Sequence, residues 1–137
     1  MALTHLIDTS VLTRLRNTGV RDVVGPLVDG GTAGRASITD LEIGYSARNT
    51  AEWDGYMESL AEFALVEIES RHFVRARQVQ RLLASASQRG RKVPDLLVAT
   101  AAEDAGLVLL HYDADFDRIA DVTGQRCEWV VPAGSVT

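Results

Sequence analysis

Short apolar runs alternate with longer stretches of helical spacing along this chain, and few architectures accommodate that order. Strand candidates fall at Leu3 to Ile7, Arg35 to Ile38, Ala64 to Ile68, Leu107 to His111 and Glu128 to Val131. Between them, helical periodicity predicts segments over Thr9 to Asn17, Val20 to Asp29, Thr39 to Arg48, Glu52 to Phe63, Glu69 to Gln88 and Asp95 to Ala102, then a short helix ending at Val122. Strands that alternate with helices in this way build a mainly parallel sheet covered on its faces, an α/β domain. Leu107 to Leu110 is apolar throughout, as expected of a strand at the sheet centre, buried on both sides. The 137 residues suffice for one domain with its own core, and the lone Cys127 excludes an intrachain disulfide.

The ends of these runs carry acids. Leu6-Ile7-Asp8-Thr9-Ser10 delivers a carboxylate and two hydroxyls where a strand gives way to a helix, and ligands of open parallel sheets bind outside the carboxyl ends of strands. Glu42 and Asp95 open helices, and Asp113 follows the Leu107 strand. An acid at one junction identifies nothing, because Asp, Ser and Thr are also preferred N-caps. Thr39 followed by Glu42 reads as a complete capping box, with Thr39 as the cap. If the first and fourth strands are neighbours, however, Asp8 and Asp113 stand about 5 Å apart, the spacing of adjacent strands. The Glu42 and Asp95 helices then open on the same crevice. Carboxylates crowded in this way raise one another's pKa and call for a cation. Oxygen donors suit Mg2+ or Mn2+, whereas zinc would want a Cys/His cluster that this sequence lacks. A divalent ion in such a site activates water for phosphodiester cleavage.

Net charge is −5, which speaks against nucleic-acid binding until the distribution is read. From Ser70 to Pro94 there are seven basic residues (Arg71, Arg75, Arg77, Arg81, Arg89, Arg91 and Lys92) and no acid, half of the fourteen Lys and Arg in the chain. Clustered charge of that kind is the footprint of a surface that meets phosphates, or equally of a solvated helix face. On the helix there, Val79, Leu82, Leu83 and Ala86 are expected to pack, while Arg77 and Arg81 point away, towards water or a phosphate-bearing partner. No apolar run approaches the ~18 residues of a membrane span and no signal peptide is evident, so the chain is read as cytoplasmic.

Asp8-Thr9-Ser10, Thr39-Asp40-Leu41-Glu42, Pro94-Asp95-Leu96-Leu97-Val98-Ala99 and Tyr112-Asp113-Ala114-Asp115-Phe116, in that order and spacing, resemble the PIN-domain family, and within it the VapC-type toxins of bacterial toxin–antitoxin pairs. The resemblance runs from Leu6 to about Val131. It implies a single PIN-like domain over residues 1–137, a three-layer α/β/α sandwich with a five-stranded, mainly parallel sheet. It implies an endoribonuclease dependent on Mg2+ or Mn2+, acting on structured RNA. It also implies a small antitoxin whose tail enters the acidic crevice, and a homodimer. By motif position, Asp8, Glu42, Asp95 and Asp113 form the acidic quartet, with Asp8, Asp95 and Asp113 as metal ligands. Asp115 is an accessory ligand, and Thr9 or Ser10 hydrogen-bonds a ligand carboxylate or water.

The alternative is a PIN-like module that binds RNA or protein without cutting, its acids serving only as caps. A calcium loop over Asp113, Asp115 and Asp117 is excluded by Arg118 at the sixth position and Gly124 at the twelfth. His5, His72 and His111 are read as structural, Trp53 and Trp129 as packing, and Asp117 as solvated.

Overall fold

Five strands, β1 (His5–Ile7), β2 (Ala33–Ala36), β3 (Ala64–Val66), β4 (Val108–His111) and β5 (Cys127–Trp129), form one sheet of order β3-β2-β1-β4-β5. Every pairing is parallel. The computed structural model describes residues 2–88 and 92–137; the helix stop expected at Gly90 and two of the seven basic residues, Arg89 and Arg91, lie outside them. The first and fourth strands are indeed neighbours, in the register Ile7 to Leu110. The centre of the sheet is β1, and β4 lies one strand from the edge, yet all four of its residues are buried.

Alternation along the strands divides the core in two. Leu6 and Leu109 join Ala36 and the apolar faces of α5 (Ser70–Ser85), α6 (Val93–Ala105) and α7 (Asp115–Thr123). On the other side Ile7 and Leu110 pack with Val11, Phe63, Val130 and α2 (Thr18–Asp29), which supplies Val20 and Val24. Helices therefore cover both faces, completing the α/β/α sandwich. In α6 every residue from Asp95 to Ala102 is buried, as its all-round apolar pattern requires.

Several boundaries differ from expectation for identifiable reasons. The first helix, α1 (Thr9–Leu12), stops five residues early: the Arg14 N–H donates to the Val11 carbonyl and the Asn17 N–H to the Arg14 carbonyl in tighter three-residue turns, and the Asn17 side chain then accepts from the Val20 N–H and starts α2. The helix α3 (Ser37–Tyr45) begins at Ser37, so the preceding strand is displaced towards the N-terminus. Thr39 lies inside α3, fully buried, with an Oγ1 that has no partner; the capping box with Glu42 does not form. The capping box that does form joins Glu69 to His72, whose Nδ1 accepts from the Glu69 N–H at 2.9 Å. On α5 the buried stripe is His72, Ala76, Val79 and Leu83, spaced by whole turns; Leu82 and Ala86 fall off it and are exposed. Trp53, on α4 (Thr50–Leu60), is more exposed than the packing role expected of it, at 46%, although its Nε1 seats against Gly44, where an added Cβ would stand 2.7 Å away. Among the described residues no helix is long and apolar enough to cross a membrane.

Candidate metal-binding active site

Chain order reverses between β1 and β4, since β1 leads out to β2 and β3 on one side while β4 and β5 lie on the other. The crevice beyond such a switch point is where parallel sheets bind ligands. Asp8 follows β1 directly and caps α1. Only 4% exposed, its Oδ2 accepts from the Ser10 N–H at 2.9 Å and the Ser10 hydroxyl at 2.6 Å. That hydroxyl also accepts from the Tyr112 N–H at 2.9 Å, so one serine ties the ends of β1 and β4 together across 102 residues of sequence. Burial raises the Asp8 pKa; the hydrogen bonds from Ser10 oppose it, and the charge of Asp113 adds to the rise.

Glu42 projects from α3, where its Oε1 accepts from the Thr9 hydroxyl at 2.9 Å. Partial burial lifts its pKa, Thr9 opposes the rise and Asp8 adds to it. Asp95, the third residue of α6, is 7% exposed, and its Oδ2 is buried with no hydrogen-bond partner. Desolvation, reinforced by Asp8 and Asp113, pushes its pKa up to about 7. Beyond β4, Asp113 accepts from the Asp115 N–H at 2.9 Å and donates its own N–H to His111 Nδ1 at 3.2 Å. Asp115 pairs with Arg118 at 2.9 Å.

Oxygens of Asp95, Asp113 and Asp115 all lie within 4.8 Å of one another. The expected ligand trio was Asp8, Asp95 and Asp113, and the tight cluster contains Asp115 where Asp8 was expected. Asp8 is coupled to Asp95 and Asp113 by charge, but its Oδ2 is turned to Ser10. A buried carboxylate oxygen with no donor, next to acids that raise its pKa, fits a hard cation with oxygen ligands. Such an ion would supply the missing partner and neutralise the crowd.

Residues 5–122 match the PIN domain family. The chain belongs to the PIN-domain family. Over 136 residues this PIN domain is 58% identical to Ribonuclease VapC51 of Mycobacterium tuberculosis, with 99% of each chain covered. It is 37% identical over 139 residues to Ribonuclease VapC21 of the same organism, covering 98% of this chain and 99% of that one. Its fold matches a chain in the DNA-bound VapBC structure from Salmonella typhimurium with a TM-score of 0.80 at 18% identity, over 94% of this chain and 99% of that one.

Around the acids of this PIN domain stand residues that spacing alone did not single out. Lys92, expected in a loop and apart from the acids, places Nζ 3.9 Å from Asp113 Oδ2. His111 is fully buried against Phe116 and Trp129, and burial lowers its pKa. Arg14 lies over the Tyr112 ring at 4.7 Å and donates to the Ser10 carbonyl at 2.7 Å. Asp117 is not merely solvated: Trp129 Nε1–H donates to both its oxygens, at 3.1 and 3.2 Å. The basic footprint is smaller than the sequence suggests. Arg71 pairs with Glu69 and Asp104, and Arg75 pairs with Glu103 at 2.8 Å. Arg77 and Arg81 are exposed on α5, and among the described residues no ion pair joins them to the acidic crevice.

Proposed function

We propose that this PIN domain is a Mg2+- or Mn2+-dependent endoribonuclease, the toxin half of a toxin–antitoxin pair. The observation that carries the metal dependence is the buried, unpartnered Oδ2 of Asp95 inside a carboxylate cluster, a group whose pKa burial, and after it the neighbouring acids, push up to about 7. Against the reading of the acids as caps stands their position: Asp8 caps α1 and Asp113 accepts from the first N–H of α7, but Glu42 and Asp95 lie inside their helices. In this proposal Asp95 and Asp113 hold the ion together with Asp8, and Asp115 completes the shell. Glu42, oriented by Thr9, holds the attacking water, and Ser10 fixes the Asp8 carboxylate. A divalent ion held by these residues would supply a water of lowered pKa and charge to stabilise the leaving oxygen. Relatives named as ribonucleases support RNA as the substrate, and a cytoplasmic setting belongs to the same reading.

The VapBC architecture of the structural neighbour supports a small protein partner. A groove of about 750 Å3 that begins at Leu12, four residues beyond Asp8, suits it. Leu15, Val24, Val28, Leu60 and Phe63 line its floor, and Arg16, Arg21, Asp29 and Glu62 edge it. That pattern fits the apolar face of an amphipathic helix from the antitoxin, with its tail continuing to the acids. A homodimer is part of the proposal.

Purified protein incubated with total RNA should generate new, mappable 5′ ends only when Mg2+ or Mn2+ is present. Asp8→Asn and Asp113→Asn should each abolish them. Cleavage that persists in chelator, or in both variants, refutes the assignment.

A further inference from the structure

Lys92 is the only lysine of the chain, and it stands at the one place where its charge opposes metal binding. It precedes α6 as the N-cap, one turn from Asp95, and contributes no side-chain cap. Its side chain is 66% exposed, and its ammonium lies 3.9 Å from Asp113, beyond hydrogen-bond reach. Among the described residues its side chain makes no hydrogen bond. Its charge also reaches Asp95 and Glu42, lowering the pKa of each against the burial that raises it. A structural ion pair would be closer and shared between fewer partners, as Arg75 with Glu103 at 2.8 Å illustrates. A compact, mobile point charge on a four-carbon stem is instead suited to leaving one anion for another.

We propose that Lys92 is a substrate-binding residue of the nuclease: it neutralises Asp113 in the metal-free pocket, yields that carboxylate to the divalent ion, and turns its ammonium to a phosphate oxygen of the RNA. This rests on the metal-dependent reading above. Two cations cannot share Asp113 without repulsion, whereas a phosphate arriving at the metal offers Lys92 a new anion within the length of its stem. The assignment makes two effects of opposite sign inseparable. Removing the charge must strengthen metal binding and weaken RNA cleavage.

The test compares the parent with Lys92→Gln and Lys92→Arg. Calorimetric titration with Mn2+ alone should show Lys92→Gln binding about threefold more tightly, the scale of one exposed charge pair. At saturating Mn2+ the same variant should cleave total RNA about tenfold or more slowly, as expected on losing one phosphate donor. Lys92→Arg should restore most of the cleavage. Unchanged or weaker Mn2+ binding by Lys92→Gln, or cleavage at the parental rate, overturns the proposal. A loss of both functions likewise overturns it, since that marks Lys92 as a structural support. If the parent itself neither binds Mn2+ nor cleaves, the metal-dependent reading fails instead, which the parental control reveals directly.

Discussion

Asp95→Asn removes a charge that the metal-free fold holds at a disadvantage. The Asp95 pKa rises from its ordinary 3.8 to about 7, and each pKa unit corresponds to about 1.4 kcal/mol, so ionising it in the empty pocket costs about 4 kcal/mol. A carboxyl whose folded pKa exceeds its unfolded one binds its proton more tightly when folded. Its contribution to stability is therefore fully present below about pH 4 and is lost as the pH rises towards 7. In chelated buffer, Asp95→Asn should unfold in urea with nearly parental free energy at pH 4 and exceed the parent by about 2–4 kcal/mol at pH 8, the lower figure allowing for protons shared with Asp8. Millimolar Mn2+ should raise the parent's stability at pH 8 and leave the variant unmoved. A stability difference that stays flat from pH 4 to 8, or a variant less stable than the parent at pH 8, would show that Asp95 is not a strained carboxylate and would remove the physical argument for a cation.

Mn2+ affinity of the parent should fall about eightfold from pH 7.5 to pH 6, because the metal must displace the Asp95 proton; a flat profile counts against Asp95 as a ligand. Ser10→Ala deprives the buried Asp8 of its 2.6 Å donor and the Tyr112 N–H of its acceptor, and should destabilise by about 2 kcal/mol in urea unfolding; under 0.5 kcal/mol would mean that water replaces the hydroxyl. Gly44→Ala should displace the Trp53 ring, destabilise by about 1–3 kcal/mol and shift tryptophan fluorescence, whereas an unchanged spectrum would contradict that close approach. Replacing Arg77 and Arg81 together with Ala should weaken RNA binding and flatten its salt dependence, the log–log slope falling by about 0.7 for each phosphate that is no longer neutralised; equal slopes exclude that face of α5.

The elements were legible wherever local pattern and burial agree. The apolar run before His111 and the all-round apolar helix after Asp95 announce themselves, because each is covered on nearly every side. The adjacency of the first and fourth strands followed from treating the acids as one site, and the Ile7 to Leu110 register bears it out. Thr39 misled because a Ser/Thr with an acid three residues on looks the same whether or not it begins the helix. Here Ser37 starts the helix, the Ser37 hydroxyl accepts from the Ile68 N–H, and Thr39 is drawn inside. The proximity of Lys92 to Asp113 was invisible for another reason. Twenty-one positions separate them, and only the packing of α6 against β4 makes them neighbours. The same holds for His111 beneath the Asp113 backbone: periodicity marks it as buried and is silent about where its ring nitrogens point.

The stitch between Ser10 and Tyr112 bears on synthesis as well as on catalysis. A ribosome that has released only the first hundred residues has made Asp8, Glu42 and Asp95 but not the strand that closes the pocket, and β1 still lacks one of its two neighbours. Pairings between such distant positions form late, after the long intervening loop has been closed. On the proposed reading, a growing chain therefore lacks a complete acidic pocket until about its last quarter emerges.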